Sequence, residues 1–131
     1  MIFGIGIDIV EIERIEKAIE KNSKFLSRIF TDREIDYFKS KNFKIDTIAG
    51  NFAAKEAVSK AFGTGVRNFK FKDIEILRDN LGKPEVKVYN NLYELSKNSK
   101  IYKIMVSISH SKKYAVANAI LIKKGDDTSE G

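Results

Sequence analysis

The first residues alternate, with Phe3, Ile5 and Ile7 on one side of an extended chain and Gly4 and Gly6 on the other, the period of a strand running from residue 2 to Asp8. From Val10 to Lys21 the period changes. Ile12, Ile15 and Ile19 recur at helical spacing with Glu and Lys between them, which predicts an amphipathic surface helix. Phe25, Leu26, Ile29 and Phe30 mark a second helical stretch, and Thr31-Asp32-Arg33-Glu34 has the form of a capping box that starts a third. Asp46 to Phe62 then reads as one long helix, stopped by Gly63, a residue that tolerates positive φ at a helix end. Strand-like alternation returns at 69–78 and 85–89 around the turn signal Asp79-Asn80-Leu81-Gly82-Lys83. A short helix from Leu92 to Lys97 follows, and strands near 103–110 and 114–122 are joined by so few residues that they must pair antiparallel. This order of N-terminal strand and helices, then antiparallel hairpins, predicts an α+β domain.

With 131 residues, one proline and no repeat, nothing divides the chain, so residues 1–124 are expected to form one domain and 125–131 a polar, disordered tail. No segment has the apolar length of a membrane span, and the N-terminus opens without a basic leader, which leads us to expect a cytoplasmic protein without membrane contact. No cysteine is present, so folding needs no disulfide. Lys and Arg number 24 against 18 Asp and Glu, a net charge of +6. The excess suits an acidic partner, whether nucleic acid, a phosphate-rich cofactor or an acidic protein.

Two carboxylates break the apolar pattern. Glu56 falls in the stripe made by Ile45, Ala49, Phe52 and Ala53, with Lys60 at its edge, and a simple explanation is an ion pair between Glu56 and Lys60 one turn away. Asp8 ends an apolar strand, either as the N-cap of the following helix or at the mouth of a site. If the two meet, they repel by ~4 kcal/mol at ~4 Å and an effective dielectric of ~20. A divalent cation would remove that repulsion, and two carboxylates completed by water and phosphate oxygens suit Mg2+.

Gly4-Ile5-Gly6-Ile7-Asp8-Ile9, followed by the run Ala49-Gly50-Asn51-Phe52-Ala53-Ala54-Lys55-Glu56-Ala57-Val58-Ser59-Lys60-Ala61-Phe62-Gly63-Thr64-Gly65, resembles the paired signatures of the holo-acyl-carrier-protein synthase family. The likeness extends through Asp73-Ile74-Glu75-Ile76, Gly82-Lys83-Pro84 and Ser107-Ile108-Ser109-His110-Ser111, covering residues 1 to about 122. It implies a 4'-phosphopantetheinyl transferase-like fold and transfer of phosphopantetheine from coenzyme A to a serine of apo acyl carrier protein. It further implies that Asp8 and Glu56 hold Mg2+ on the pyrophosphate and that Lys60, with Lys55 serving the same end, holds a phosphate oxygen. Glu56 and Lys60 are then the catalytic pair, with the acceptor of the serine proton open between Glu56 and a metal-bound water.

The same resemblance places Gly63, Thr64, Gly65, Pro84, Ser109, His110 and Ser111 at the cofactor. The glycines after the long helix also read simply as its cap, and a lone histidine on a strand is more often structural. Arg14, Lys21, Lys24 and Arg28, with Phe25 as an apolar anchor, correspond to the basic surface that docks the carrier. Asn51 departs from the family's usual arginine, and Lys44 is the candidate substitute at the cofactor's 3'-phosphate. A homotrimer with sites between subunits is implied, and Val106, Ile108, Val116, Ile120 and Ile122 suit either an interface or a core. No Gly-x-x-x-x-Gly-Lys-Ser/Thr loop or third glycine after Gly4 and Gly6 supports another phosphate-binding class.

Two rivals remain. A basic α+β nucleic-acid-binding module is suggested by Phe69 and Phe71 interleaved with Lys70 and Lys72, and a non-catalytic carrier-binding adaptor would need only the basic helix.

Overall fold

In the computed structural model, which describes residues 1–63 and 68–125, a three-stranded antiparallel sheet packs on one central helix. The elements are β1 (Ile2–Glu11), α1 (Ile12–Lys21), α2 (Phe25–Ile29), α3 (Asp32–Ser40) and α4 (Ile45–Phe62). A 3-10 turn (Phe71–Asp73), β2 (Ile74–Arg78), β3 (Pro84–Val88), α5 (Asn90–Asn98), β4 (Ile101–His110) and β5 (Tyr114–Lys123) complete them. The large sheet has the order β1-β5-β4, while β2 and β3 form a separate hairpin. The expected architecture is present. Its one displaced boundary of consequence is β1, which runs past Asp8 to Glu11 because β5 pairs with it as far as Glu11↔Tyr114.

The faces of β1 explain how α4 is seated. A register shift between Ile2 and Gly4 turns Phe3 inward against the core, apart from Ile5 and Ile7. Gly4 and Gly6 lie against α4 so closely that a Cβ on either would overlap the carbonyl oxygen of Ala61 or Ala57. Alanines on the helix and glycines on the strand thus let the two backbones touch, and Asp8, two residues further on, is delivered to the same side. Ile5, Ile7 and Ile9 face outward and stay 64%, 63% and 64% exposed.

The helix is also buried away from the sheet. Lys55 and Asn51 are fully buried, because α1 and β2 pack on α4 away from the sheet and Glu34 of α3 reaches Lys55. The predicted capping box forms: Thr31 Oγ1 accepts from the Glu34 backbone N–H at 3.2 Å, and Glu34 Oε1 accepts from the Thr31 N–H at 3.0 Å. Gly63 ends α4 at φ +85° with its N–H donating to the Lys60 carbonyl at 3.0 Å. Thr64, Gly65 and most of the expected tail, residues 126–131, lie outside the described residues. Among the described residues no helix is long and apolar enough to cross a membrane.

Candidate active site

Asp8 and Glu56 lie close enough for the Asp8 charge to act on the Glu56 carboxyl. The close packing of β1 on α4 brings the Asp8 carboxylate to the C-terminal half of the helix, where Lys60 Nζ donates to Asp8 Oδ1 at 2.9 Å and to the Ile7 carbonyl at 3.1 Å. The Glu56 carboxyl is pushed above its usual range by burial first and the Asp8 charge second, against the opposing pull of Lys60. The simple alternatives for both carboxylates are corrected by this geometry. Lys60 pairs with Asp8 rather than Glu56, and the residue at the α1 N-cap is Glu11, which makes no side-chain cap. Two carboxylates and one ammonium leave a net negative cluster of hard oxygen donors, a donor set that suits Mg2+ completed by other oxygens. Among the described residues no group of three or more metal-binding side chains occurs.

Lys55 is a correction. Its side chain is 0% exposed, and its Nζ is taken by Glu34 Oε1 at 2.6 Å and by the carbonyls of Ile29, Phe71 and Ile74 at 2.8, 2.9 and 2.6 Å. An ammonium with three protons and four buried acceptors has nothing left for a phosphate. One residue away from Glu56, it points into the opposite side of the helix and ties α2, the 3-10 turn and β2 to α4. Glu34, read from the sequence only as a capping residue, is its counterion and also accepts from the Ile76 N–H at 3.1 Å.

A second feature sits at the other edge of the sheet. A cavity of about 530 Å³ opens between the N-terminal half of α4, the β2–β3 turn and β4, and its wall includes Asp46, Arg78, Lys83, Pro84 and His110. His110 Nδ1 is 3.7 Å from Asp46 Oδ2, and Lys44 Nζ is 3.9 Å from the same oxygen, which places the predicted Lys44, Pro84 and His110 together. Ser111 instead braces the β4–β5 turn, its Oγ accepting from the Tyr114 N–H at 3.2 Å. Ser109 points to the outer face of the sheet, where it lines a small hollow with Ile7 and Val116. Gly63 is exposed beyond α4.

Asn51 is buried rather than facing the cavity. Its Nδ2 donates to the Ile76 carbonyl at 3.1 Å and its Oδ1 accepts from Arg78 Nη2 at 2.8 Å. Arg78 and Asp46 were not foreseen, since the sequence marks Arg78 only as the last residue before a turn. Arg14, Lys21, Lys24 and Arg28 are exposed along α1 and α2, with Phe25 half-buried and stacked on Phe52 at 6.3 Å. Phe69 and Phe71, which suggested base stacking, pack edge-to-face at 6.0 Å, Phe69 against the core and Phe71 on Phe52 at 6.1 Å, so they are not presented as a platform.

Residues 4–119, a span that contains this junction, match the family model of the 4'-phosphopantetheinyl transferase superfamily, and the chain belongs to it. Within it, the chain is 58% identical over 125 residues to the holo-[acyl-carrier-protein] synthase of Clostridium perfringens, covering 92% of this chain and 94% of that one. The crystal structure of holo-[acyl-carrier-protein] synthase from Neisseria meningitidis superposes with a TM-score of 0.86 at 36% identity, over 94% of this chain and all of that one. That of the Bacillus anthracis enzyme, in complex with CoA (3',5'-ADP), gives 0.76 at 41% identity, over 95% and 99%.

Proposed function

We propose that this chain is a holo-[acyl-carrier-protein] synthase that transfers 4'-phosphopantetheine from coenzyme A to a serine hydroxyl of apo acyl carrier protein. The carrying observation is the convergence of Asp8, Glu56 and Lys60 at one strand–helix junction, where burial and Asp8 raise the Glu56 pKa. The Asp8 and Glu56 carboxylates would hold a Mg2+ ion, which would supply charge neutralisation to the coenzyme A pyrophosphate. Lys60 adds an ammonium on the same side, half exposed and so able to turn toward a phosphate oxygen. The serine oxygen bonds to the phosphorus bearing pantetheine, its proton passing to Glu56 or to a water at the site, the bond to the bridging oxygen breaks, and adenosine 3',5'-bisphosphate leaves with the electron pair. Stabilising that departing charge is the largest contribution the residues can make.

Assembly follows from where the parts lie. Asp8 is on β1 and the cavity is built on β4, with β5 between them, about 10 Å apart at the ~4.8 Å spacing of neighbouring strands. The outer sheet face, with Ile5, Ile7 and Ile9 exposed beside Val116 and Ile120, supports burial against further copies of this chain, and we assign a homotrimer in which edges of two copies complete one site. Residues 1–124 form the transferase domain of a cytoplasmic enzyme.

The test is intact-mass analysis of apo acyl carrier protein incubated with the protein, coenzyme A and Mg2+. A gain of one phosphopantetheine on the carrier, lost when the metal is chelated, is expected; no gain on several carriers from folded protein removes the transferase reading. The carrier docks on the exposed basic face of α1 and α2. Arg14→Glu is therefore expected to raise KM for the carrier by ~10-fold or more, mainly through slower association, with coenzyme A affinity unchanged. Equal loss of both affinities would remove Arg14 from the docking surface.

A further inference from the structure

A second hollow lies where β3, α5 and the first half of β4 come together. Its volume is about 340 Å³, within the ~300–1,000 Å³ range of small-molecule sites, and it shares no lining residue with the larger cavity beside Arg78. The topology creates it. β3 is the edge of the small hairpin and β4 the edge of the large sheet, and the two run side by side without pairing, which leaves a gap along the seam. Val86, Val88, Ile101 and Ile104, all packed on the core, give the gap an aliphatic floor.

The rim has one sign of charge. Lys87 and Lys103 line it, both exposed and neither in an ion pair among the described residues, and no carboxylate among those residues lines the hollow. On α5, Glu94 is turned to Lys97 instead, at 3.9 Å. Three of the five tyrosines, Tyr89, Tyr93 and Tyr102, stand around the opening, and Tyr89 is fixed by its hydroxyl, which donates to Glu75 Oε1 at 2.9 Å. Ser96, on the side of α5 that lines the hollow, is only 7% exposed, and its hydroxyl makes no hydrogen bond among the described residues. Buried hydroxyls are as a rule satisfied, so an open donor beside two unpaired ammonium groups marks the place of a ligand oxygen. An aliphatic floor under a cationic rim fits an anionic head on an apolar stem. We propose that this hollow binds a fatty acid of medium chain length. Its alkyl chain lies on the valines and isoleucines, and its carboxylate is taken by the Ser96 hydroxyl and by Lys87 and Lys103, whose long stems let the ammonium groups turn inward. None of these residues belongs to the transfer machinery, so the inference stands apart from the proposed reaction.

The experiment is titration of the full-length protein with hexanoate, octanoate and decanoate, followed by calorimetry and by tyrosine emission. With no tryptophan in the chain, that emission reports chiefly on the three rings at the opening. Affinity is expected to rise ~10-fold or more for each two carbons added, the gain from burying two methylene groups. Decyltrimethylammonium, with the same stem and the opposite charge, should bind at least ~10-fold more weakly than decanoate. The double variant Lys87→Gln, Lys103→Gln changes only exposed side chains and so keeps the fold; it should lower decanoate affinity ~10-fold and leave that of the uncharged decanol unchanged. Ser96→Ala should weaken decanoate in the same selective way, and if it does not fold, the lysine variant decides. Absence of saturable decanoate binding, equal binding of the cationic analogue, or a lysine variant that matches wild type would each overturn the assignment. Tighter binding of adenosine 5'-monophosphate than of decanoate at the same residues would make the hollow a nucleotide site and likewise overturn it.

Discussion

Replacing Lys55 with methionine is expected to destabilise the protein by ~3–5 kcal/mol, the range for removing one partner of a buried ion pair. Small domains have only ~5–15 kcal/mol in total, so the urea midpoint should fall by ~2 M at a slope of ~2 kcal/mol/M. The loss comes from what is left behind: Glu34, 0% exposed, and three carbonyls that lose a donor. The Glu34 pKa is raised by burial even with Lys55 present, while the Lys55 charge, its hydrogen bond and the N–H groups of Thr31 and Ile76 work downward. Without Lys55 the first two of those opposing effects vanish and the pKa rises further. A carboxyl whose folded pKa exceeds its unfolded value binds the proton more tightly when folded, so the stability it retains is present at low pH and lost as pH rises through the folded pKa. Lys55→Met should therefore cost more at pH 8 than at pH 5, and Glu34→Gln added to it should narrow that difference. A loss equal at both pH values would mean that Lys55 acts through packing alone.

Lys55 also shows where reading the sequence stops. Element order, the capping box at Thr31, the Gly63 stop and the two hairpins follow from local patterns, because caps, turns and strand alternation are short-range properties. What covers the far side of α4 is not local. The sequence shows one apolar stripe on the helix, but it is enclosed on several sides, so Lys55 enters the interior beside a Glu56 that stays partly open. The pattern Lys-Glu looks like two site residues, while one step along a helix turns the second side chain well away from the first. Arg78 was illegible for a similar reason. Its partner Asn51 lies 27 positions earlier, and only the packing of β2 on α4 joins them. The glycines of β1 were legible as a strand face, but that they are the face against the helix, leaving Ile5, Ile7 and Ile9 outside, required the structure.

Glu56→Gln is expected to lower the rate of transfer by ~10²- to 10³-fold at saturating coenzyme A and carrier, the effect of losing one preorganised group that stabilises transition-state charge. Gln keeps the size and one oxygen of the side chain but not its charge, so the variant should fold. Its stability should move the other way. Glu56 has a folded pKa raised by burial and by Asp8, so in metal-free protein its ionised form opposes folding, and stability falls as pH rises from the ordinary carboxyl range through the raised one. Removing the carboxylate removes that opposition. In chelator at pH 8 the melting temperature of Glu56→Gln should equal or exceed that of wild type, and the difference should shrink toward pH 4.5. Added Mg2+ should raise the wild-type melting temperature and leave the variant's nearly fixed, because binding to the folded state alone stabilises it. Asp8→Asn should likewise lose the Mg2+ response, and since Asp8 is the partner of Lys60 at 2.9 Å, it also gives up that ion pair. A Glu56→Gln enzyme that is both active and less stable than wild type would make Glu56 a structural carboxylate and leave the metal without its second ligand.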